Sequence, residues 1–417
     1  MPAFLKDRMT TGSVLPILAE NAAARRNAWL YAACQAFSSA SAPVSIALGG
    51  LAGSYLLAGD KSLATAPVTG FNIGVALAAL PAAMLMRRIG RRFGFMTGAI
   101  IGIAGLLVAT GALMLHSFWL FCLGLMLTGS ANGFAQQFRF AAADQGTPDF
   151  RAKAISIVLI GGVAAAIIGP QMVLFTRDLL APVPFAGAFL SGTLLFAASL
   201  VVMTFLEPSI PPKPEKGVEI DTGRPLSVIM LQPRFVVAVI CAIGSYAMMS
   251  LVMTAAPLAM IGCGFTVDQA TLGIQWHVLA MFAPSFFTGQ LITRFGKERI
   301  VALGLAILVA CACVALAGIE LANFWLALVL LGLGWNFGFI GSTAMITETY
   351  QPAERGKAQG ANDFLLFGAV AVASLMSGRT MNAFGWGAVN IIVFPVVAIC
   401  FGALLWLVWL ERPRSAA

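Results

Sequence analysis

The chain has 417 residues, 59% of them hydrophobic and only 10% charged, with a formal net charge of +8. A soluble protein carries about a quarter of its residues as charge to cover its surface, so this composition excludes a soluble enzyme and requires an integral membrane protein. The positive balance is not a nucleic-acid footprint, because the basic residues are parcelled out among short turns between apolar runs.

Runs long enough to cross a hydrocarbon core of about 30 Å can be placed twelve times, near 28–50, 65–86, 94–115, 118–141, 153–176, 184–206, 234–260, 269–293, 299–319, 323–346, 358–380 and 386–410. An all-α membrane protein is expected, twelve transmembrane helices in which successive helices are antiparallel neighbours. The polar stretch 1–27 lacks a small-residue cleavage site, so no signal peptide is expected. Arg87, Arg88, Arg91 and Arg92 follow span 2, and Arg151 and Lys153 follow span 4. Lys213, Lys216, Arg224 and Arg234 flank the central loop, Arg294, Lys297 and Arg299 follow span 8, and Arg355 and Lys357 follow span 10. The opposite side carries only Lys61, Arg177 and Arg379. Lys and Arg collect on the cytoplasmic side, so both termini are expected in the cytoplasm, with the chain in a bacterial inner membrane.

One segment reads as a linker. Residues 207–233 hold Pro208, Pro211, Pro212, Pro214, Pro225 and Pro233 among mixed charges, an extended composition. It separates an expected bundle of six helices at 1–206 from a second at 234–417. The seven Cys lie scattered in or beside apolar spans; Cys311 and Cys313, two apart, point to different helix faces, which suits neither a metal nor a disulfide. No metal site is expected, and no cofactor. Gly161-Gly162, Gly169 and the Gly98/Gly102 pair read as close packing between membrane helices.

The two halves repeat one another. Phe118-Trp119 opens a run that reaches Asp144 and then Arg151-Ala-Lys153-Ala; Phe324-Trp325 opens one that reaches Glu348 and then Arg355-Gly-Lys357-Ala. The offset is 206 residues at the Phe-Trp pair and 204 at the Arg pair. Arg88-Ile-Gly-Arg91 is repeated 206 residues on as Arg294-Phe-Gly-Lys297. Internal duplication of a membrane module is the mark of a transporter, and it predicts that Arg88 superposes on Arg294 and Arg151 on Arg355.

With span count and loop lengths, these motifs resemble the major facilitator superfamily. That family carries Gly-x-x-x-Asp-Arg-x-Gly-Arg-Arg/Lys between helices 2 and 3 and a weaker copy between helices 8 and 9. Here the copies read Ala83-Met-Leu-Met-Arg87-Arg88-Ile-Gly90-Arg91-Arg92 and Gly289-Gln-Leu-Ile-Thr293-Arg294-Phe-Gly296-Lys297. The basic and Gly positions match; the Asp is replaced by Arg87 and Thr293. In the family that carboxylate latches the two halves together on the cytoplasmic side in the outward-facing state, so Asp144 and Glu348, beside the basic clusters with Arg88, Arg91, Arg151 and Arg355, are the expected substitutes. The resemblance implies two six-helix bundles rocking about a midplane site. It also sets helices 4 and 11 near each other at the cytoplasmic mouth, where Arg139 and Asp363 would pair between the halves.

Polar groups inside the membrane are costly and need a partner or a wet cavity. Asn132, Gln136 and Arg139 are spaced i, i+4 and i+7, one face of a helix. Trp335 and Asn336 in span 10, Gln275 in span 8 and Gln35 in span 1 complete an amide-rich, aromatic set of candidate substrate contacts. That set suits a neutral, planar, hydrogen-bonding solute; a dicarboxylate would want several cations, and Arg139 stands alone. Trp335-Asn336 and Asn362-Asp-Phe-Leu365 resemble a bacterial branch that includes riboflavin importers, which makes uptake of a vitamin-like heterocycle such as riboflavin the expected activity. Proton-coupled efflux of drugs or metabolites is the alternative, since Gly169-Pro170 is similar to an exporter signature. His116 and His277 stand far apart without partners in motif spacing, so no enzyme is expected. The expected partners are a small-molecule substrate and the lipid bilayer, with no nucleic acid, and a monomer should suffice.

Overall fold

The computed structural model describes residues 11–143, 148–207 and 223–411. Among them the regular structure is helical throughout: α1 (Thr11–Ser39), α2 (Ser41–Leu56), α3 (Ala66–Ile89), α4 (Arg91–Met114), α5 (Phe118–Ala135), α6 (Phe138–Ala143), α7 (Pro148–Thr176) and α8 (Ala186–Met203), then the short α9 (Leu226–Met230), α10 (Pro233–Gly262), α11 (Val267–Phe282), α12 (Ser285–Phe295), α13 (Lys297–Ala317), α14 (Leu321–Ile346), α15 (Arg355–Ile391) and α16 (Val393–Glu411). Ten continuous helical stretches are individually long and apolar enough to cross a membrane. Two local breaks reconcile ten with twelve. Residues 355–411 hold two crossings joined at Gly385 (φ 77°, ψ −177°), and 267–295 makes one crossing from α11 and α12 together.

Three crossings are broken along their length, two of them beside a proline. Pro43 has no N–H to give the carbonyl of Ser39, so α1 and α2 part at Ala40, and Ser41 Oγ donates instead to the Ser38 carbonyl at 2.8 Å. Pro284 separates α11 from α12, and the chain resumes with the Phe287 N–H on the Pro284 carbonyl at 2.9 Å. Between α5 and α6 no proline intervenes; the Gln137 N–H reaches the Phe134 carbonyl at 3.0 Å, a three-residue tightening of the kind that marks a hinge or a site under constraint.

The duplication is visible in the backbone. Gly90 ends α3 and starts α4 at φ 85°, ψ 161°; Gly296 ends α12 and starts α13 at φ 89°, ψ 154°. Only glycine takes that conformation without steric cost, which is why the Gly of the repeated Arg-x-Gly-basic turn is kept while its acid is not. Buried apolar side chains gather in two groups, one almost wholly within 28–206 and the other mainly within 229–407. Lipid tails are as apolar as leucine, so close packing between small residues supplies much of the attraction. A side chain at Gly161 would run into the Ala32 carbonyl, and one at Gly169 into that of Ala40. These two glycines let α7 lie directly on α1.

Candidate functional site

A cavity of about 240 Å³ lies between the halves. Residues before the central loop give it an amide wall: Gln35 from α1, Asn72 from α3, Asn132 from α5, and Gln136 and Gln137 from the tightened turn. Gln35 Nε2 donates to Ser39 Oγ at 2.7 Å, and Gln136 Nε2 lies 3.5 Å from Asn132 Oδ1. The facing wall is aromatic. Trp335 stacks on Phe339 with centroids 5.1 Å apart and planes 18° apart, and Tyr246 stacks on Phe339 at 5.2 Å and 27°. Phe282 and Phe367 meet this group edge-on. Offset and edge-to-face contacts of this kind hold aromatic rings in fixed orientation, so the wall is a rigid surface rather than a set of independent side chains.

One charge from each half borders the cavity, Arg139 and Asp363. Each feels the other's field, yet no direct ion pair closes between them in this state. Arg139 lies over the Phe140 ring, 4.9 Å from its centroid, and Asp363 accepts from Asn362 Nδ2 at 3.1 Å. Arg139, Gln136 and Asp363 are exposed, so water reaches them from the terminal face, where α1 begins and α16 ends.

The opposite, distal side is sealed by polar contacts between the halves. Thr65 Oγ1 donates to the Ser374 carbonyl at 2.9 Å and accepts from the Gly378 N–H at 3.1 Å, joining α3 to α15. Gln171 Nε2 donates to Gln275 Oε1 at 2.8 Å, and Arg177, which also holds Asp178, pairs with Asp268. These last two contacts are successive rungs between α7 and α11. The arrangement is a cavity open to the terminal face and shut on the distal one.

Two expected substrate contacts sit elsewhere. Asn336 does not border the cavity; successive helix residues are turned by about 100°, so while Trp335 faces inward its neighbour faces α11 and α12. There it is fully buried, with Nδ2 on the Met281 carbonyl at 2.7 Å and Ser285 Oγ at 2.8 Å, and Oδ1 accepting from Thr288 Oγ1 at 2.6 Å. This amide bridges the Pro284 break. Gln275 also lies outside the cavity, as the α11 half of the amide rung. Gln35, Asn132, Gln136 and Trp335 do border it. Asn72, Gln137 and Tyr246 border it without having been singled out: each amide is isolated or next to one already chosen, and the ring lies in an apolar run.

On the open terminal face Glu348 pairs with Lys297 and Arg234 of its own half, because α13 and α10 present those cations beside the end of α14; Arg234 further binds Glu298 at 2.9 Å and Glu411 at 2.7 Å. Arg355 reaches across, 5.8 Å from the Phe140 ring centroid. Arg88 is exposed and Arg91 half-buried. Asp144 lies outside the described residues, as does the side chain of Arg151. Sequence reading passed over Glu354, which is fully buried. Its carboxylate accepts from Arg224 Nε at 2.8 Å and Nη2 at 2.6 Å, from the Arg224 N–H at 2.7 Å and from the Gln351 N–H at 2.9 Å. The Arg224 hydrogen bonds hold its pKa down at about 2.

Two pseudo-repeated bundles around a central cavity open on one side define a solute carrier that exposes its site to one face at a time. The sequence profile of the Major Facilitator Superfamily matches residues 8–284 and 238–417, and the chain belongs to that superfamily. It is 50% identical over 395 residues to the riboflavin transporter RfnT of Brucella anthropi, covering 95% of this chain and 98% of the relative. It is 29% identical to the uncharacterized MFS-type transporter YddS of Bacillus subtilis, covering 87% of this chain and 88% of that one. Among solved structures, the nucleoside transporter NupG superposes with a TM-score of 0.70 at 13% identity, covering 91% of this chain and 98% of the other, a likeness of fold.

Proposed function

We propose that this chain imports riboflavin across the bacterial inner membrane by alternating access. It acts as a monomer with both termini in the cytoplasm, and the bundles 1–206 and 234–417 rock about the cavity between them. The observation that carries the reading is half-identity, over nearly the whole of both chains, to a protein named as a riboflavin transporter. The cavity's chemistry supports it. An isoalloxazine is flat, uncharged and edged with imide donors and acceptors. The Trp335–Phe339–Tyr246 wall offers it a stacking surface, and Asn132, Gln136 and Gln35 offer amide groups. The orientation rests on the excess of Lys and Arg on the terminal face.

The test is uptake of labelled riboflavin by a riboflavin-requiring bacterium without its own importer. Cells expressing the chain should accumulate label and grow on low riboflavin. With the protein verified in the membrane, uptake no better than empty vector defeats the substrate assignment. Lowered accumulation of dyes or antibiotics in the same cells would turn the reading to efflux.

A further inference from the structure

The aromatic wall contains a donor with nothing to donate to. Trp335 is 6% exposed, and its Nε1–H has no acceptor in the protein. The indole is not free to turn away: Phe339 covers one face, Tyr246 lies tilted at 5.3 Å, and Phe282 meets it at 6.3 Å and 68°. Indole nitrogen donates only, and a buried donor without an acceptor is a standing cost to the fold. The neighbouring amide shows that this region can satisfy its polar groups, since Asn336 makes three hydrogen bonds one position away. The residue that carries this unmet donor lines the cavity where a solute would sit.

We propose that the Trp335 indole N–H is a specificity contact that donates a hydrogen bond to an acceptor on the edge of the transported heterocycle. Resting on the riboflavin reading, it goes beyond stacking: rings alone would accept any flat solute, while a fixed donor selects those with a ring nitrogen or carbonyl at one position. Sites built to hydrogen-bond a substrate discriminate strongly against analogues lacking the partner group, because a buried group is then left unpaired.

The test compares the wild type with Trp335→Phe, which keeps a stacking ring and deletes the donor. Affinity is measured by calorimetry on purified protein for riboflavin and for analogues in which each ring acceptor is removed or weakened in turn: 1-deaza-, 5-deaza-, 2-thio- and 4-thioriboflavin. Trp335→Phe should bind riboflavin about 5- to 30-fold more weakly. One analogue should bind the wild type with that same deficit and lose nothing further in the variant. In parallel, the wild-type indole ¹⁵N–¹H resonance that disappears in Trp335→Phe should shift when riboflavin is added, a readout that needs no variant to function. Equal riboflavin affinity in the two proteins, an equal loss for every analogue, or an unmoved resonance overturns the proposal. A wild type that binds no flavin defeats the substrate reading and this inference together, whereas wild-type binding with an unaffected variant defeats this inference alone.

Discussion

Trp335 and Asn336 are adjacent and do opposite things. The amide of Asn336 is a joint: it replaces the backbone bonds lost where Pro284 breaks the α11–α12 crossing. Asn336→Ala should destabilise the protein by about 1–3 kcal/mol, because Thr288, Ser285 and the Met281 carbonyl lose a buried partner. Gln136→Ala should raise the KM for uptake and leave the melting temperature nearly unchanged, since that amide is exposed to the cavity. Thermal melts in detergent beside uptake kinetics separate the two, and an Asn336→Ala protein that melts with the wild type would contradict the structural role. Glu354 makes a pH prediction. Its folded pKa of about 2 lies below the usual carboxylate value, from the Arg224 hydrogen bonds first and the Gln351 N–H next. The stabilisation is therefore complete above about pH 4.5 and is lost as pH falls from there towards 2. Melting temperature should drop over that window in the wild type and more shallowly in Glu354→Gln.

Among the elements, α7 and α11 carry two of the contacts that seal the distal side. Arg177 and Gln171 are six residues apart on one chain segment, so the rungs stand about 9 Å apart along the helix axis. The Arg177–Asp268 pair sits where water competes, so it is weak and reversible, and the Gln171–Gln275 rung is a single neutral hydrogen bond, as suits a gate that must open in every cycle. Removing both, as Gln171→Ala with Asp268→Ala, should shift the population towards a state open on the distal side. A cysteine at Ser250, in a background lacking the exposed Cys263 and Cys313, reports this through labelling by a membrane-impermeant thiol reagent. Faster labelling from the distal side is expected, and an unchanged rate would show that the seal lies elsewhere. Helix existence was legible in the sequence at this scale because each crossing is a long apolar run. The proline breaks were visible in principle, whereas the tightening at Gln137 has no residue to announce it. Which amide faced the cavity was not legible: α14 is apolar nearly all round, so no polar stripe distinguishes the Trp335 side from the Asn336 side. Gln275 looked like a cavity group because an intramembrane amide needs a partner, and its partner, Gln171, lies 104 residues away.

For the whole molecule, the duplicated backbone at Gly90 and Gly296 and the two groups of buried side chains suit the proposed rocking of two bundles. Arg139 and Asp363 border the gap between them, one on each body, and stand unpaired while the terminal face is open. Rocking that closes this face would bring them together. Arg139→Ala or Asp363→Ala alone should therefore slow uptake at least tenfold, and the swapped pair Arg139→Asp with Asp363→Arg should recover part of it, the single losses costing more than their combination. A swap as inactive as the worse single variant would refute the pairing. The duplication was plain in the sequence because short basic turns repeat at nearly the same offset, 206 and 204 residues. The wiring of its charges was not: that Glu348 meets Lys297 and Arg234 in this state follows from the packing of α13 and α10 beside α14.

The stacked Trp335, Phe339 and Tyr246 have one more consequence, and it concerns light. Indole and phenol rings in van der Waals contact with an excited flavin pass it an electron far faster than it can emit. Riboflavin lodged against this wall should be dark, while riboflavin in water on either side glows green. The transporter would then mark its own occupancy: purified protein titrated into riboflavin should extinguish emission in step with binding, and the lost light should return when a colourless competitor displaces the vitamin.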